Sequence, residues 1–133
     1  MVRRWFEEVY NKKNVAVIDE VLAPDLVQHD LPPAMKPGLE GYKQLNSMLL
    51  TAFPDYHITI EDIDMIAEGD KVAVRFEWSG THKVEFMGII PTGKEVTVKA
   101  MTISRIEGGK VAENWGLVDQ LGIMQQLGAI PTQ

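Results

Sequence analysis

The chain has 133 residues, 45% of them hydrophobic and 24% charged, with a net charge of −6, a pI near 5.0 and no cysteine. These values predict one domain, residues 1–133, and argue against nucleic acid or an anionic membrane surface as a partner, because no basic stripe exists to meet phosphates. The lack of cysteine excludes disulfides and thiolate chemistry. With no apolar run near the ~20 residues of a membrane span and no signal-peptide core, a cytoplasmic protein is expected.

The first part of the chain has the apolar spacing of helices. An amphipathic helix is predicted over residues 3–13, and a short second helix follows, with Asn14 as its N-cap and Pro24 at its end. Residues 26–30 are expected to be extended and to lead into a proline-rich loop. A third amphipathic helix is predicted over residues 40–53.

From residue 56 the apolar period changes from about 3.6 to 2, which is typical of strands. Strands are predicted over residues 56–67, 71–79 and 95–106, and a glycine turn at residues 108–109 begins a last strand that ends at Asp119. Helices followed by an antiparallel meander make this an α+β fold. Three helices on a curved sheet would enclose a pocket that suits a small molecule.

The last strand carries a carboxylate on an aromatic face. Alternation places Glu113, Trp115, Leu117 and Asp119 on one face, and a two-residue turn pairs Thr102 with Trp115. An acid on such a face is costly unless it is hydrogen-bonded or has a raised pKa that suits proton transfer. The alternation therefore makes Asp119 a candidate general acid/base. The open alternative is that Asp119 caps a following helix.

A set of short motifs spans nearly the whole chain. They are Phe53-Pro54-Asp55, Gly80-Thr81-His82, Gly88-x-x-Pro91-Thr92-Gly93-Lys94, Arg105-Ile106-Glu107-x-Gly109-Lys110, Glu113-x-Trp115-x-x-x-Asp119-Gln120-Leu121 and Gln126-Leu127-Gly128. Together they resemble the SnoaL-like polyketide cyclases of the nuclear-transport-factor-2-like (NTF2-like) superfamily. The resemblance implies a cone-shaped α+β fold with a cavity between helices and sheet, no cofactor, and a homodimer or higher homo-oligomer.

The resemblance also implies an activity. In these cyclases an aspartate at the position of Asp119 acts as acid/base in an intramolecular aldol ring closure. By resemblance, Asp119 would remove a proton α to a carbonyl of a small hydrophobic substrate, and the enolate carbon would attack a second carbonyl. The run Lys83-Val84-Glu85-Phe86 differs from the family's usual one, which leaves the shape of the mouth and the substrate open.

Further residues are candidates for the site. His29, a second catalytic candidate, would protonate or orient a substrate carbonyl, or else is satisfied by a backbone group. The candidate substrate-binding residues are Trp115 as pocket wall, Tyr10 and Asn46 as hydrogen-bond donors to a carbonyl or enolate oxygen, His82 near the mouth, and Trp78. Glu113 is expected to pair with Arg105 or a neighbouring lysine. The scattered histidines predict no metal site.

Two other functions stay open. One is an epoxide hydrolase or isomerase on the same scaffold, whose relatives use an Asp-Arg-Asp set. Arg75 is predicted to face away from Val74 and Phe76, so the required arginine is not evident. The other is a small-molecule-binding module without turnover. The strand face that carries Arg75 and Glu77 is a candidate dimer surface.

Overall fold

Short helices flank a curved sheet in this structure, a computed structural model that describes residues 2–29, 31, 35–59, 64–86 and 88–128. The helices are α1 (Val2–Trp5), a π-helix (Phe6–Asn11), a 3₁₀-helix (Val15–Val17), α2 (Ile18–Val21), α3 (Gly38–Ala52) and α4 (Gln120–Leu127). The strands are β1 (Leu22–Gln28), β2 (His57–Ile58), β3 (Asp64–Glu68), β4 (Lys71–Thr81), β5 (Glu95–Glu107) and β6 (Lys110–Val118). The α+β prediction is confirmed.

The strands form one sheet in the order β1-β6-β5-β4-β2, and β3 also pairs with β4. Its neighbours are antiparallel except for β1, which runs parallel to β6, so the prediction of a wholly antiparallel sheet is corrected in this one pair. The long strands β4 and β5 stay in register from Lys71 opposite Arg105 to Thr81 opposite Glu95. They form the central wall of the cone.

The N-terminal helices differ in detail from their prediction. The first continues from α1 as a π-helix, a wide form often found at functional sites. The second ends at Val21, because β1 already begins at Leu22 and contains Pro24. A proline is tolerated there since β1 is an edge strand, with one side free of ladder hydrogen bonds. Asn14 precedes this helix without a side-chain capping bond.

The core lies between the helices and the inner face of the sheet. On β4, Val74, Phe76 and Trp78 are buried and the intervening Arg75 and Glu77 are exposed, as predicted. The helices contribute buried side chains to the same core cluster, among them Trp5, Phe6, Val9, Val21 and Tyr42. Each such side chain stabilises the fold by roughly 1.5–3 kcal/mol when it leaves water.

The pairing of β5 with β6 differs from prediction by one residue. Gly108 and Gly109 form the predicted turn, with φ values of 60° and 77° that favour glycine. Ile106 pairs with Val111, but Arg105 pairs with Glu113, so Ala112 is an extra residue in β6. This β-bulge reverses the facing of the rest of the strand.

Thr102 consequently lies opposite Gly116 rather than Trp115. Asn114 is buried on the inner face, whereas Leu117 is exposed on the outer face. None of the described helices is long and apolar enough to cross a membrane.

Candidate functional site

The helices and the inner face of the sheet border a cavity of about 160 Å³ that opens to solvent beside the exposed residues Val118 and Gln120. Much of its wall is aromatic and aliphatic, and includes Trp5, Phe6, Phe76, Trp78, Phe86 and Val118. Hydroxyl and amide groups make up the polar part of the wall, from Tyr10, Gln28, Tyr42, Tyr56, Thr102, Asn114 and Gln120. Within the described part of the chain, no aspartate, glutamate, histidine, lysine or arginine lines it. Such a wall suits a neutral, largely apolar molecule with one or two hydrogen-bonding oxygens.

A chain of three side chains supplies hydrogen bonds at this wall. The Trp5 Nε1–H donates to the Tyr42 hydroxyl at 2.8 Å, and the hydroxyls of Tyr42 and Tyr10 lie 2.7 Å apart. Burial raises the pKa of Tyr42 well above its usual range, and nearby Tyr10 raises it further, so the phenol stays protonated at neutral pH. The Trp5 N–H can only donate a hydrogen bond. One of the two hydroxyl protons therefore lies between the Tyr42 and Tyr10 oxygens, and the second hydroxyl proton can be donated to another group.

Lys13 and Asn11 hold the end of the π-helix that carries Tyr10. The Lys13 ammonium donates to the backbone carbonyls of Tyr10 at 2.9 Å and Tyr56 at 2.7 Å. The Asn11 side chain bonds both backbone groups of Ile58, at 2.8 and 2.7 Å. Burial lowers the pKa of Lys13, and Asp55 opposes that shift. These hydrogen bonds of Lys13 and Asn11 hold Tyr10 and Tyr56 in place relative to β2.

Asp119 lies at the junction of β6 and α4. Its Oδ1 accepts a hydrogen bond from the Gly122 N–H at 2.9 Å, so the capping contact considered as the alternative is present. A side chain at position 122 would lie within 2.4 Å of Oδ2, which explains the glycine there. The Asp119 residue is exposed and is not among the cavity-lining residues, although Val118 and Gln120 on either side of it are.

Trp115 and His29 meet on the outer face of the sheet. Their rings stack with centroids 4.9 Å apart and planes 7° apart. His29 Nε2 lies 2.7 Å from Glu113 Oε2, and the Arg105 Nε–H donates to Glu113 Oε1 at 3.0 Å, which confirms the predicted Glu113–Arg105 pair. The hydrogen bond with His29, then that from Arg105, lowers the pKa of Glu113. The prediction of Trp115 as a cavity wall is wrong, because the bulge at Ala112 turns it outward.

Two other candidates lie away from the cavity wall. His82 is fully buried, accepts the Thr92 backbone N–H at Nδ1 over 3.3 Å, and stacks on Phe53, so it fixes the base of a loop. Asn46 is also buried, but it borders a separate groove between α3 and the 3₁₀-helix rather than the cavity predicted for it. Trp78 does line the cavity and stacks on Tyr56 with centroids 4.4 Å apart.

A wider depression of about 670 Å³ lies on the outer face of the sheet. Its lining includes Asp64, Arg75 and Asp119, the composition of an Asp-Arg-Asp set. Arg75 pairs with Asp64 and faces away from the cavity, as predicted, and its side chain is 70% exposed. Exposed ion pairs are screened by water, so this groove lacks the enclosed environment that such chemistry needs.

Several polar cavity residues were not found from the sequence. Tyr42 looked like an ordinary apolar residue of the third helix, and Tyr56 like the first residue of a strand. Their phenols on apolar faces were the only available signal, since a buried hydroxyl generally needs a partner. Asn114, whose Oδ1 accepts the Ser104 hydroxyl at 2.7 Å, faces inward only because of the bulge and gave no signal.

Comparisons of the sequence and of the structure with known proteins indicate the family of this chain. The family model of the SnoaL-like polyketide cyclases matches residues 1–127. TsrD from Streptomyces laurentii is similar in structure, with a TM-score of 0.86, 28% identity, and coverage of 97% of this chain and 92% of that one. No curated protein matches the sequence.

Two further solved structures are similar over almost the whole chain. IdmH from Streptomyces antibioticus, a candidate polyketide cyclase, has a TM-score of 0.78 and 30% identity over 96% of both chains. AclR from Streptomyces galilaeus, a candidate hydroxylase, has a TM-score of 0.80 and 29% identity over 98% of this chain and 81% of that one. With its NTF2-like cone and a family match over residues 1–127, this chain belongs to the SnoaL-like polyketide cyclases.

Proposed function

We propose that this protein catalyses an intramolecular aldol-type ring closure of a small carbonyl compound held in the central cavity. The observation that carries the proposal is the aromatic cavity with the Tyr10–Tyr42 hydroxyl pair in its wall. The hydroxyl pair is suited to a carbonyl or enolate oxygen, and the aromatic rings are suited to the apolar remainder. Family membership supports the reaction class.

In this mechanism Tyr10 donates a hydrogen bond to the substrate oxygen on which negative charge develops. Trp5 and Tyr42 support it, because a hydroxyl that accepts a hydrogen bond becomes a stronger donor. The raised pKa of Tyr42 keeps the Tyr42 hydroxyl, which donates to Tyr10 in this mechanism, protonated while the enolate forms. Donors aimed at developing charge in a site that excludes water are usually the largest catalytic contribution.

Asp119 is the proposed acid/base. Its support is its family position and its place between two cavity-lining residues, Val118 and Gln120. The role requires the carboxylate to leave the Gly122 N–H and turn toward the substrate. Once there, it would remove the α-proton and return it to the new alkoxide.

We assign His29 a supporting role, since its bond to Glu113 holds the chain next to the cavity residue Gln28.

Substitution at Asp119 separates catalysis from capping. Asn caps helices about as well as Asp, so Asp119→Asn removes the base and keeps the cap, whereas Asp119→Ala removes both. We expect Asp119→Asn to slow deuterium exchange α to the carbonyl of a polyketide-type methyl ester by about 100-fold or more at unchanged melting temperature. We expect Asp119→Ala to lose about 1 kcal/mol of stability as well. Unchanged exchange in Asp119→Asn would remove Asp119 from the mechanism.

One observation favours a second candidate function, ligand binding without turnover. No ionisable acid or base lines the cavity within the described residues apart from the tyrosines. A binding module would retain the same carbonyl compounds but would not exchange their α-protons in the wild type. Binding without exchange in the wild type would therefore favour this second function.

We also propose that a second copy of the chain covers the outer face of the sheet. Large apolar side chains are exposed there, with Ile66 at 72%, Met101 at 55% and Leu117 at 77%. Charges of both signs surround them, such as Arg75 and Glu77, so the face is complementary to a copy of itself. Light scattering should show a dimer that Leu117→Lys converts to a monomer and that the loop variant Ile90→Lys leaves intact. A monomeric wild type would contradict this proposal.

A further inference from the structure

The free space of the central cavity is small for an enzyme pocket. It measures about 160 Å³, whereas pockets for drug-sized ligands measure roughly 300–1,000 Å³. An engineered apolar cavity of about 150 Å³ accommodates benzene. The cavity therefore has room for about one ring, and a fused second ring would not fit within this space.

Phe86 lines the cavity but belongs to no helix or strand. Among the described lining residues, only Tyr56 and Phe86 lie outside helices and strands. Phe86 lies on a turn closed by two backbone hydrogen bonds with Ile89, at 3.1 and 3.0 Å. Lys83, Val84 and Glu85 before it are exposed, yet Phe86 itself is only 8% exposed.

The contacts of the ring show what it blocks. Phe86 packs edge-on against Phe53 with centroids 5.4 Å apart, and Phe53 packs in the same way against Trp78 at 5.2 Å. Phe53 packs directly against Gly80, since a Cβ atom at position 80 would lie 2.9 Å from the Phe53 Cβ. Phe53 therefore cannot move toward β4. Trp78 belongs to the central strand β4. Shortening Phe86 would thus add the volume of a benzene ring to the cavity while the other walls stay in place.

We infer that Phe86 determines the size of the ligand, and that with Phe86 in place the cavity takes neutral carbonyl compounds whose buried part is a single ring. The inference rests on the proposed function only in that the cavity is the ligand site; it does not depend on Asp119. A larger polycyclic carbonyl compound would need the space that the Phe86 ring fills.

Binding of a one-ring and a two-ring ketone tests the inference. Acetophenone and 1-acetonaphthone are titrated while tryptophan fluorescence is followed, since Trp5 and Trp78 line the cavity. The wild type should bind acetophenone more tightly. Phe86→Ala should bind 1-acetonaphthone about tenfold more tightly than the wild type does, as expected for burying one further ring. Ile90→Ala is the matched control on the exposed side of the same loop and should leave both affinities unchanged.

The outcomes separate this inference from the proposed function. If both ketones bind the wild type and their order is unchanged in folded Phe86→Ala, Phe86 does not set the size limit. If neither ketone binds any variant, the cavity is not the ligand site and the proposed function fails with it. Phe86→Leu carries the test if Phe86→Ala does not fold, because leucine keeps an apolar contact with Phe53 but gives up part of the ring volume.

Discussion

The two faces of the sheet are built by the same strands but have opposite chemistry. The inner face presents aromatic rings and neutral hydroxyls, such as the buried Tyr42 next to Tyr10, in a concave cavity. The outer face presents charged pairs, such as Arg75–Asp64, among exposed apolar side chains. Polar contacts are strong among the buried groups of the inner face, such as Trp5 and Tyr42, and they are screened by water on the outer face of the single chain. The comparison shows that whether a residue faces inward or outward determines its chemical role more than its type does.

The bulge at Ala112 is the device that assigns β6 residues to the two faces. Deleting Ala112 should direct Glu113 and Trp115 into the core and Asn114 outward. We expect a loss of most of the stability, which for a domain is about 5–15 kcal/mol. Circular dichroism and thermal melting would measure it, with Ala112→Gly as a control that keeps the bulge. A deletion variant that melts like the wild type would show that the bulge does not set the facing.

Two of the three tryptophans, Trp78 and Trp115, compare the faces directly. Trp78 is 3% exposed among Phe53 and Tyr56, so Trp78→Ala should cost about 3–5 kcal/mol. Trp115 is only half-buried against His29, and Trp115→Ala should cost about 1 kcal/mol. Urea unfolding of both variants measures the difference. Equal losses would mean that the outer face is as tightly packed as the cavity wall.

The buried hydroxyl chain is a finer test of the inner face. Tyr42→Phe leaves the Trp5 N–H without its acceptor, at a cost of about 1–3 kcal/mol. Tyr10→Phe keeps the bond between Trp5 and Tyr42 and removes only the bond between the two hydroxyls, so its cost should be smaller than that of Tyr42→Phe, which removes both bonds. Chemical denaturation of the two variants gives the order. A larger loss in Tyr10→Phe would show that the bond from the Trp5 N–H to Tyr42 contributes little to stability.

The outer face should show the smallest effect, and only in acid. Because the pKa of Glu113 is lowered in the folded state, its contribution is present above its ordinary pKa of about 4.3 and is lost as the pH falls through the lowered value. Glu113→Gln should therefore flatten the decline of stability as the pH falls below the ordinary glutamate pKa of about 4.3. Glu107→Gln, which removes a more exposed partner of Arg105, is the control and should change the profile less. Identical pH profiles for the wild type and Glu113→Gln would show that ionised Glu113 does not contribute to stability.

Much of the fold could be predicted because local periodicity reports burial. The alternation along β4 correctly placed Val74, Phe76 and Trp78 inside and Arg75 outside. The paired glycines correctly predicted the turn before β6. The positions of the third helix and the long strands followed from the same patterns, and the motifs indicated the family. These features depend on neighbours in the chain, so the sequence by itself determined them.

The tertiary structure decided the site. Ala112 has nothing in its side chain that marks a bulge, yet it turned Trp115 outward and Asn114 inward. The Trp5–Tyr42–Tyr10 chain joins residues more than 30 positions apart, so no local pattern could indicate it. Phe86 enters the cavity from a loop without periodicity. Contacts between distant segments depend on register and packing, and one inserted residue is enough to change which side chains meet.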